Sequence, residues 1–250
     1  MARRPEDPES VAIIDDMISI GTSGYSYPEW KGTFYPEDLP VSKMLGYYAE
    51  RFTTVEINNT FYRLPSEKVI GDWARGTPDG FTFTLKATRR ITHQAKLHDC
   101  AELLDVFCSR ARALGPKLAV LLFQMPPYFR KDLDVLDEFL GQMPGNLRAA
   151  FEFRHSSWLT DEVYSRLRER NLALCITDNE KTTTPIEATA DYGYFRLRDE
   201  GYGDADFDRW ADAITERASD WRDTFVYFKH EEEGKGPDFA NELRARLDGR

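Results

Sequence analysis

The sequence predicts a (β/α)8 barrel of the TIM type, and three observations support this fold class. Strand-like apolar runs alternate with amphipathic, helix-like segments along the chain. Eight strand-like runs occur within 250 residues, which is a typical length for this fold. No Gly/Ser-rich linker divides the chain. We therefore expect a mobile lead-in over residues 1–17 and a single TIM-like barrel domain over residues 18–250.

The strand-like runs are rich in β-branched and aromatic residues, which favour strands. In chain order they are Ile18–Thr22, Val55–Phe61, Phe81–Thr88, Leu118–Met125, Arg148–Arg154, Leu172–Thr177, Tyr192–Arg198 and Thr224–His230. An open, doubly wound sheet is the alternative arrangement. It is disfavoured because no Gly-rich phosphate loop follows the first run.

Apolar residues at three- and four-residue spacing predict helices between the strands. The first helix is expected after a Ser42 cap and the second after a Ser66 cap. The third is expected to end at Gly115-Pro116. The later helices are predicted around Leu133–Leu140, Val163–Leu167, Phe207–Ala218 and Phe239–Leu247. Residues 179–191 are polar and Thr-rich, so the barrel is expected to be irregular between strands six and seven.

Composition limits the class of protein. No apolar run approaches the roughly 20 residues needed to cross a bilayer, and the N-terminus lacks the apolar stretch of a secretory signal. Three cysteines without a C-x-x-C pair predict reduced thiols and a cytoplasmic protein. The net charge of −10 weighs against broad binding to duplex nucleic acid.

Charged and amide residues alternate with apolar ones in several strands, although strands buried on both faces are normally apolar throughout. We expect the following positions to face inward at the strand ends, where barrel enzymes place their active sites: Glu56, Asn58, Lys86, Gln124, Glu152, Arg154, Arg196, Arg198 and Lys229. Asp178 follows strand six, and the alternation does not decide which way it points. Five cations against three acids give this set a net charge of +2 and predict an anionic ligand, such as a phosphate or carboxylate. Internal ion pairing is the alternative explanation.

Aromatic residues form the second candidate feature. Tyr25 and Trp30 lie in a long loop after strand one, and Trp158 follows strand five. Loops of this length are commonly functional. These rings are predicted either to stack on a ligand or to pack as a lid over the barrel.

Glu56 and Glu152, with Lys86, are the candidate catalytic residues, because two carboxylates in different environments can divide acid and base roles. The alternative is that each carboxylate pairs with a neighbouring cation. His93, His155 and His230 lack metal-ligand spacing. We therefore predict no metal and no cofactor.

Seven sequence motifs together resemble the YecE-like family, a domain-of-unknown-function family, from Ile18 to Leu247. They are Gly21-Thr-Ser-Gly-Tyr-Ser-Tyr-Pro-Glu-Trp-Lys-Gly, Phe34-Tyr-Pro, Val55-Glu-Ile-Asn-Asn-Thr-Phe-Tyr62, Phe81-Thr-Phe-Thr-Leu-Lys86, Gln124-Met-Pro-Pro127, Glu152-Phe-Arg-His-Ser-Ser-Trp158 and Tyr194-Phe-Arg-Leu197. The resemblance implies a TIM-like barrel. It also implies that the family's cavity residues correspond to Glu56, Asn58, Lys86, Gln124, Glu152, Arg154, Trp158 and Arg196. It brings no established reaction.

The chain departs from the family pattern in two places. Arg198-Asp199 stands where the family commonly has His-Gly, and Lys229-His230-Glu231 stands where many members have Asn-Asn. Both changes add charge at the predicted site.

The leading hypothesis is a metal-independent enzyme that binds a phosphate- or nucleotide-like small molecule. Arg154, Arg196 and Lys86 would hold the anion, and Glu152 or Glu56 would move a proton. A second hypothesis is a non-catalytic binder of single-stranded nucleic acid that uses Trp30, Tyr25 and Trp158 as stacking surfaces. It ranks lower because of the acidic net charge. A third is a metal-dependent phosphodiesterase or endonuclease-like hydrolase.

Overall fold

Eight parallel strands close into a barrel in the computed structural model, which describes residues 18–179 and 182–249. The strands are β1 Ile18–Ser23, β2 Thr54–Ile57, β3 Thr82–Lys86, β4 Leu118–Gln124, β5 Ala149–Glu152, β6 Ala173–Asn179, β7 Tyr192–Leu197 and β8 Asp223–Phe228. Each strand pairs with the next in sequence order, and β8 pairs with β1. The predicted (β/α)8 class is confirmed. The predicted lead-in, residues 1–17, lies outside the described residues.

Seven α-helices surround the barrel within the described residues. They are α1 Val41–Ala49, α2 Glu67–Arg75, α3 Ala101–Ala111, α4 Leu133–Gln142, α5 Asp161–Glu169, α6 Asp204–Arg217 and α7 Lys235–Asp248. The expected irregularity between β6 and the next barrel strand is confirmed. The described part of this connection contains no helix, and a two-residue strand, Thr182–Thr183, pairs antiparallel with the end of β6. In the part of the chain that the structure describes, no helix has the length and apolar character to cross a bilayer.

Several of the sequence-based boundaries differ from the structure, and two of them change the local structure. Ser42 does not cap α1. The helix begins at Val41, so Ser42 lies inside its first turn and Pro40 occupies the capping position. The second strand ends at Ile57 rather than Phe61, because the chain turns at Asn58 and Asn59–Phe61 form a 3-10 turn. The Ser66 cap of α2 is confirmed, since its hydroxyl accepts a hydrogen bond from the backbone N–H of Val69 at 3.4 Å.

Side chains alternate between two cores, as period-two strands require. One core fills the space between the sheet and the helices. The other lies inside the barrel and includes Leu122, Ala150, Cys175, Tyr194 and Tyr227. These inward residues fix the phase of each strand. The positions two residues further along β4, β5 and β7 therefore also point inward, at the carboxyl end of the barrel.

Candidate functional site

The carboxyl end of the barrel holds a buried polar cluster built from five strands. Glu56 lies on β2, Lys86 ends β3, Gln124 ends β4, Glu152 ends β5 and Arg196 lies on β7. All five side chains are buried. Glu152 and Gln124 occupy paired positions on adjacent strands, so the parallel register itself brings them together. The alternation seen in the sequence therefore does bring these five predicted residues into one cluster.

Arg196 joins the two carboxylates. Its Nε donates to both oxygens of Glu56 at 2.9 Å, and its Nη1 donates to Oε2 of Glu152 at 2.9 Å. None of the three side chains is more than 1% exposed. A buried ion is tolerated only when it is paired and hydrogen-bonded. Burial alone would raise the pKa of Glu152, but Arg196, Arg198 and Lys86 lower it below the usual value. The two carboxylates raise the pKa of Arg196 against the opposing effect of burial.

Gln124 connects this ion cluster to Lys86. Its Nε2 donates to both oxygens of Glu152 at 2.8 Å, and its Oε1 accepts a hydrogen bond from Nζ of Lys86 at 2.8 Å. Nζ of Lys86 also lies 4.5 Å from the centroid of the Phe61 ring. The amide thus fixes the position of the lysine nitrogen without neutralising its charge.

Lys86 is only 8% exposed and has no carboxylate within ion-pair distance among the described residues. Burial lowers the pKa of Lys86 to about 7, and the nearby Arg196 acts in the same direction. Glu152 and Glu56 oppose the shift without cancelling it. An amine that is partly neutral near pH 7 can accept or donate a proton.

Three further residues complete the cluster, of which sequence reasoning identified only Asn58. Nδ2 of Asn58 donates to the hydroxyl of Ser23 at 2.6 Å, and Ser23 in turn hydrogen-bonds Glu56. The hydroxyl of Tyr194 donates to Oε2 of Glu56 at 2.6 Å. Tyr194 stands two residues before Arg196, so the same alternation that identified the arginine could have identified the tyrosine.

A cleft of about 320 Å³ opens above the cluster. Its lining includes Lys86, Gln124 and Arg196 below, and Arg198, Lys229 and His93 at the sides. Nη1 of Arg198 lies 3.7 Å from Glu152, and Nζ of Lys229 lies 3.2 Å from Glu231. His93 was not predicted as a cleft residue, because it lies on the π-helical turn Arg90–Gln94 rather than on a strand.

The structure does not bring Asp178 into the cluster. Its carboxylate lies on the outer side of β6 and accepts hydrogen bonds from the indole N–H of Trp210 at 3.1 Å, the hydroxyl of Tyr202 at 2.5 Å and the backbone N–H of Arg198 at 3.2 Å. The side chain of its neighbour Thr177, two residues after the inward-facing Cys175, points into the barrel instead. Asp178 therefore supports the loop after β7 from outside the barrel.

The predicted stacking residues are engaged in packing instead. Trp30 is fully buried, and its indole N–H donates to the backbone oxygen of Glu231 at 3.0 Å. Trp158 is also fully buried, and its ring stacks on Phe153 with centroids 4.7 Å apart. Tyr25 is half-buried. Both indoles lie in the core between the sheet and the helices, so packing rather than ligand stacking describes these two residues.

Arg154 lies beyond the end of β5 and is exposed. Burial, Lys86 and then Arg154 lower the pKa of His93, a residue that lines the cleft. The described residues contain no group of three or more His, Cys, Asp or Glu side chains that could hold a metal ion.

A family model described as "Protein of unknown function DUF72" matches residues 19–250. The UPF0759 protein YecE of Escherichia coli (strain K12) is 35% identical over 157 residues, which are 62% of this chain and 55% of that protein. The chain thus spans little more than half the length of that curated relative. The UPF0759 protein YunF of Bacillus subtilis (strain 168) is 24% identical over 93% of this chain and 95% of its own. The crystal structure of a DUF72 family protein from Thermotoga maritima superimposes with a TM-score of 0.81, at 27% identity over 93% of this chain and 99% of its own.

Proposed function

This chain belongs to the DUF72 family, and we propose that it binds a small phosphate- or carboxylate-bearing molecule in the cleft at the carboxyl end of its barrel. One observation carries the proposal. Lys86 is a buried amine without a carboxylate partner among the described residues, and it shares a cleft with the cations Arg198 and Lys229. A cleft that gathers cations in an acidic protein is suited to an anion.

Arg198 and Lys229 are the residues to which we assign anion binding. The side chain of Arg198 is 24% exposed, and its one ion-pair contact within the described residues is long, at 3.7 Å. Most of its five N–H donors are therefore available for a bidentate contact with phosphate or carboxylate oxygens. Lys229 can exchange its exposed partner Glu231 for a ligand at little cost, since surface ion pairs contribute about 0–1 kcal/mol.

We assign the role of general acid or base to Lys86. Glu56 and Glu152 are fully buried and hold Arg196 from both sides, so neither carboxylate has room to exchange protons with a ligand. They act as positioning residues, because the chain of contacts from Arg196 through Glu152 and Gln124 fixes Nζ of Lys86. A general acid or base works best when its pKa lies near the working pH, as the pKa of about 7 does here.

A thermal-shift panel tests the proposal. The probes are inorganic phosphate, ribose 5-phosphate, adenosine 5′-monophosphate and citrate. A probe present at about 100 times its Kd stabilises the folded state by about 2.7 kcal/mol, which corresponds to about 5–10 °C in a chain of this size. We expect at least one probe to give such a shift, and we expect Arg198→Met to abolish it.

The matched control is Arg222→Met. Arg222 is 80% exposed and directly precedes β8, so it lies at the opposite end of the barrel. This variant is expected to keep the full shift. Indifference of the wild type to every probe, or equal shifts in Arg198→Met, would exclude the cleft as an anion site.

A further inference from the structure

The loops that follow β2, β3, β4 and β5 concentrate positive charge on one side of the barrel mouth. Residues 58–66, 87–100, 125–132 and 153–160, here called the basic rim, contain seven Lys and Arg residues but only two acids. The rim therefore carries a net charge of +5 on a chain of net charge −10. The loops after β1, β7 and β8, residues 24–40, 198–203 and 229–234, carry three cations and eight acids, a net charge of −5.

Five arginines of the basic rim are exposed and hold no ion pair or side-chain hydrogen bond within the described residues. They are Arg63, Arg89, Arg90, Arg130 and Arg154. Elsewhere on the surface, arginines such as Arg166, Arg209 and Arg217 pair with a neighbouring carboxylate. An acidic protein has many carboxylates that could neutralise its surface arginines. A cluster of exposed guanidinium groups without ion pairs is therefore suited to a polyanionic partner.

The four loops of the basic rim form one continuous surface. The rings of Phe61 and His93 join the first two loops, with centroids 4.9 Å apart. Nζ of Lys96 lies 5.4 Å from the ring centroid of Tyr128, which joins the second and third loops. The backbone N–H of Lys131 donates to the hydroxyl of Ser157 at 2.8 Å, which joins the third and fourth.

Two tyrosines present their rings to solvent on this surface. Tyr62 is 75% exposed and Tyr128 is 64% exposed, more than any other large hydrophobic side chain that the structure describes. Tyr62 also lines the cleft. Open aromatic faces between basic side chains are the arrangement on which unpaired bases stack while phosphates contact the cations.

We infer that the basic rim binds single-stranded nucleic acid, with the exposed rings of Tyr62 and Tyr128 as stacking platforms. A duplex fits less well, because its bases are not open to stacking and its second strand would meet the acidic loops across the mouth. The surface differs from the Trp30 and Trp158 positions that the sequence suggested, which are buried. Tyr62 lines the same cleft as Arg198 and Lys229, whereas Arg89, Tyr128 and Arg130 lie outside it.

Fluorescence anisotropy with a fluorescein-labelled oligothymidylate of about 20 nucleotides tests the inference. Binding is expected to weaken as salt rises, with a log–log slope of about −0.7 per phosphate contacted. The double variant Arg89→Met/Arg130→Met should weaken binding about tenfold or more and reduce the slope by about 1.4. Tyr128→Ala should weaken binding about fivefold or more without changing the slope. A double variant on α6, Arg209→Met/Arg217→Met, removes the same charge away from the rim and should bind like the wild type.

The rim variants replace no residue that lines the cleft, so the small-anion thermal shifts should be the same in Arg89→Met/Arg130→Met as in the wild type. Failure of either proposal thus leaves the other standing. The inference is overturned if the oligonucleotide does not bind at about 50 mM salt, or if the rim and α6 variants weaken it equally. It is also overturned if a hairpin duplex binds as tightly as the single strand, or if only a phosphorylated peptide binds.

Discussion

Arg196 is the residue on which the buried cluster depends. It is the one cation among the described residues that contacts both Glu56 and Glu152 at 2.9 Å, and all three side chains are shielded from water. Removing one partner of such a group leaves buried charge without compensation, which costs about 3–5 kcal/mol. The guanidinium therefore supports the barrel end as well as the position of Lys86.

Arg196→Met is expected to lower Tm by about 6–20 °C, because each kcal/mol corresponds to about 2–4 °C for a chain of this length. The measurement is differential scanning calorimetry at pH 7, with Arg209→Met as the control for loss of an exposed arginine. Arg196→Lys keeps the charge but cannot bridge both carboxylates, so its Tm should fall between the two. A Tm for Arg196→Met within about 2 °C of the wild type would contradict this role.

The sequence predicted the convergence of Glu56, Lys86, Gln124, Glu152 and Arg196 because strand alternation fixes the face on which a side chain lies. Their part in ligand binding stays a proposal. Asp178 could not be placed in the same way, because Thr177 and Asp178 are both polar and either phase of β6 fits the sequence. The buried state of Trp30 and Trp158 was equally inaccessible, since composition does not distinguish an aromatic lid from an aromatic binding surface.

Contacts between the end of β6 and the loop after β7 position one side of the cleft. The described part of the connection between β6 and β7 contains no helix, and Asp178 at the end of β6 instead holds the β7–α6 loop through Tyr202 and the backbone of Arg198. The same carboxylate accepts a hydrogen bond from Trp210 on α6. The position of the Arg198 guanidinium in the cleft therefore depends on a contact outside the barrel.

Asp178→Asn should weaken this support. All three partners donate hydrogen bonds to the carboxylate, and the amide nitrogen of Asn is itself a donor, so at least one of the three hydrogen bonds would be lost. We expect a loss of about 1–3 kcal/mol, which corresponds to about 2–12 °C in Tm. We also expect faster amide hydrogen exchange in residues 198–203. Asp79→Asn, at an exposed turn position, is the control. Unchanged exchange in the loop would show that Asp178 does not position it.

Over the whole molecule, charge is divided rather than uniform. The net charge of −10 disfavours binding to nucleic acid, yet the basic rim has a net charge of +5. The net charge of the whole chain does not reveal where the charges lie. The four basic loops are separated in sequence and meet only when β2 to β5 lie side by side. The barrel places the rim, the cleft and the buried cluster at one end, and Lys86 lies where the cleft meets the cluster.

We propose that Lys86 is a partly neutral amine in an anion-binding cleft, and the pH dependence of its reactivity tests this proposal most directly. Its pKa of about 7 is lower in the folded chain than the ordinary 10.5. Between pH 7 and pH 10.5, Lys86 therefore carries its proton in the unfolded chain but has lost it in the folded chain. This lysine's destabilising contribution is accordingly present in full below pH 7 and is relieved as pH rises from about 7 to 10.5. Only the neutral amine reacts with an acylating reagent.

We predict that acetylation of Lys86, followed by mass spectrometry of peptides, rises with a midpoint near pH 7. We also predict that the probe with the largest thermal shift protects Lys86 from acetylation. Labelling of the exposed Lys68 in the same samples controls for the reagent. A midpoint near the ordinary lysine pKa of 10.5, or a Lys86 whose labelling no probe changes, would contradict the account.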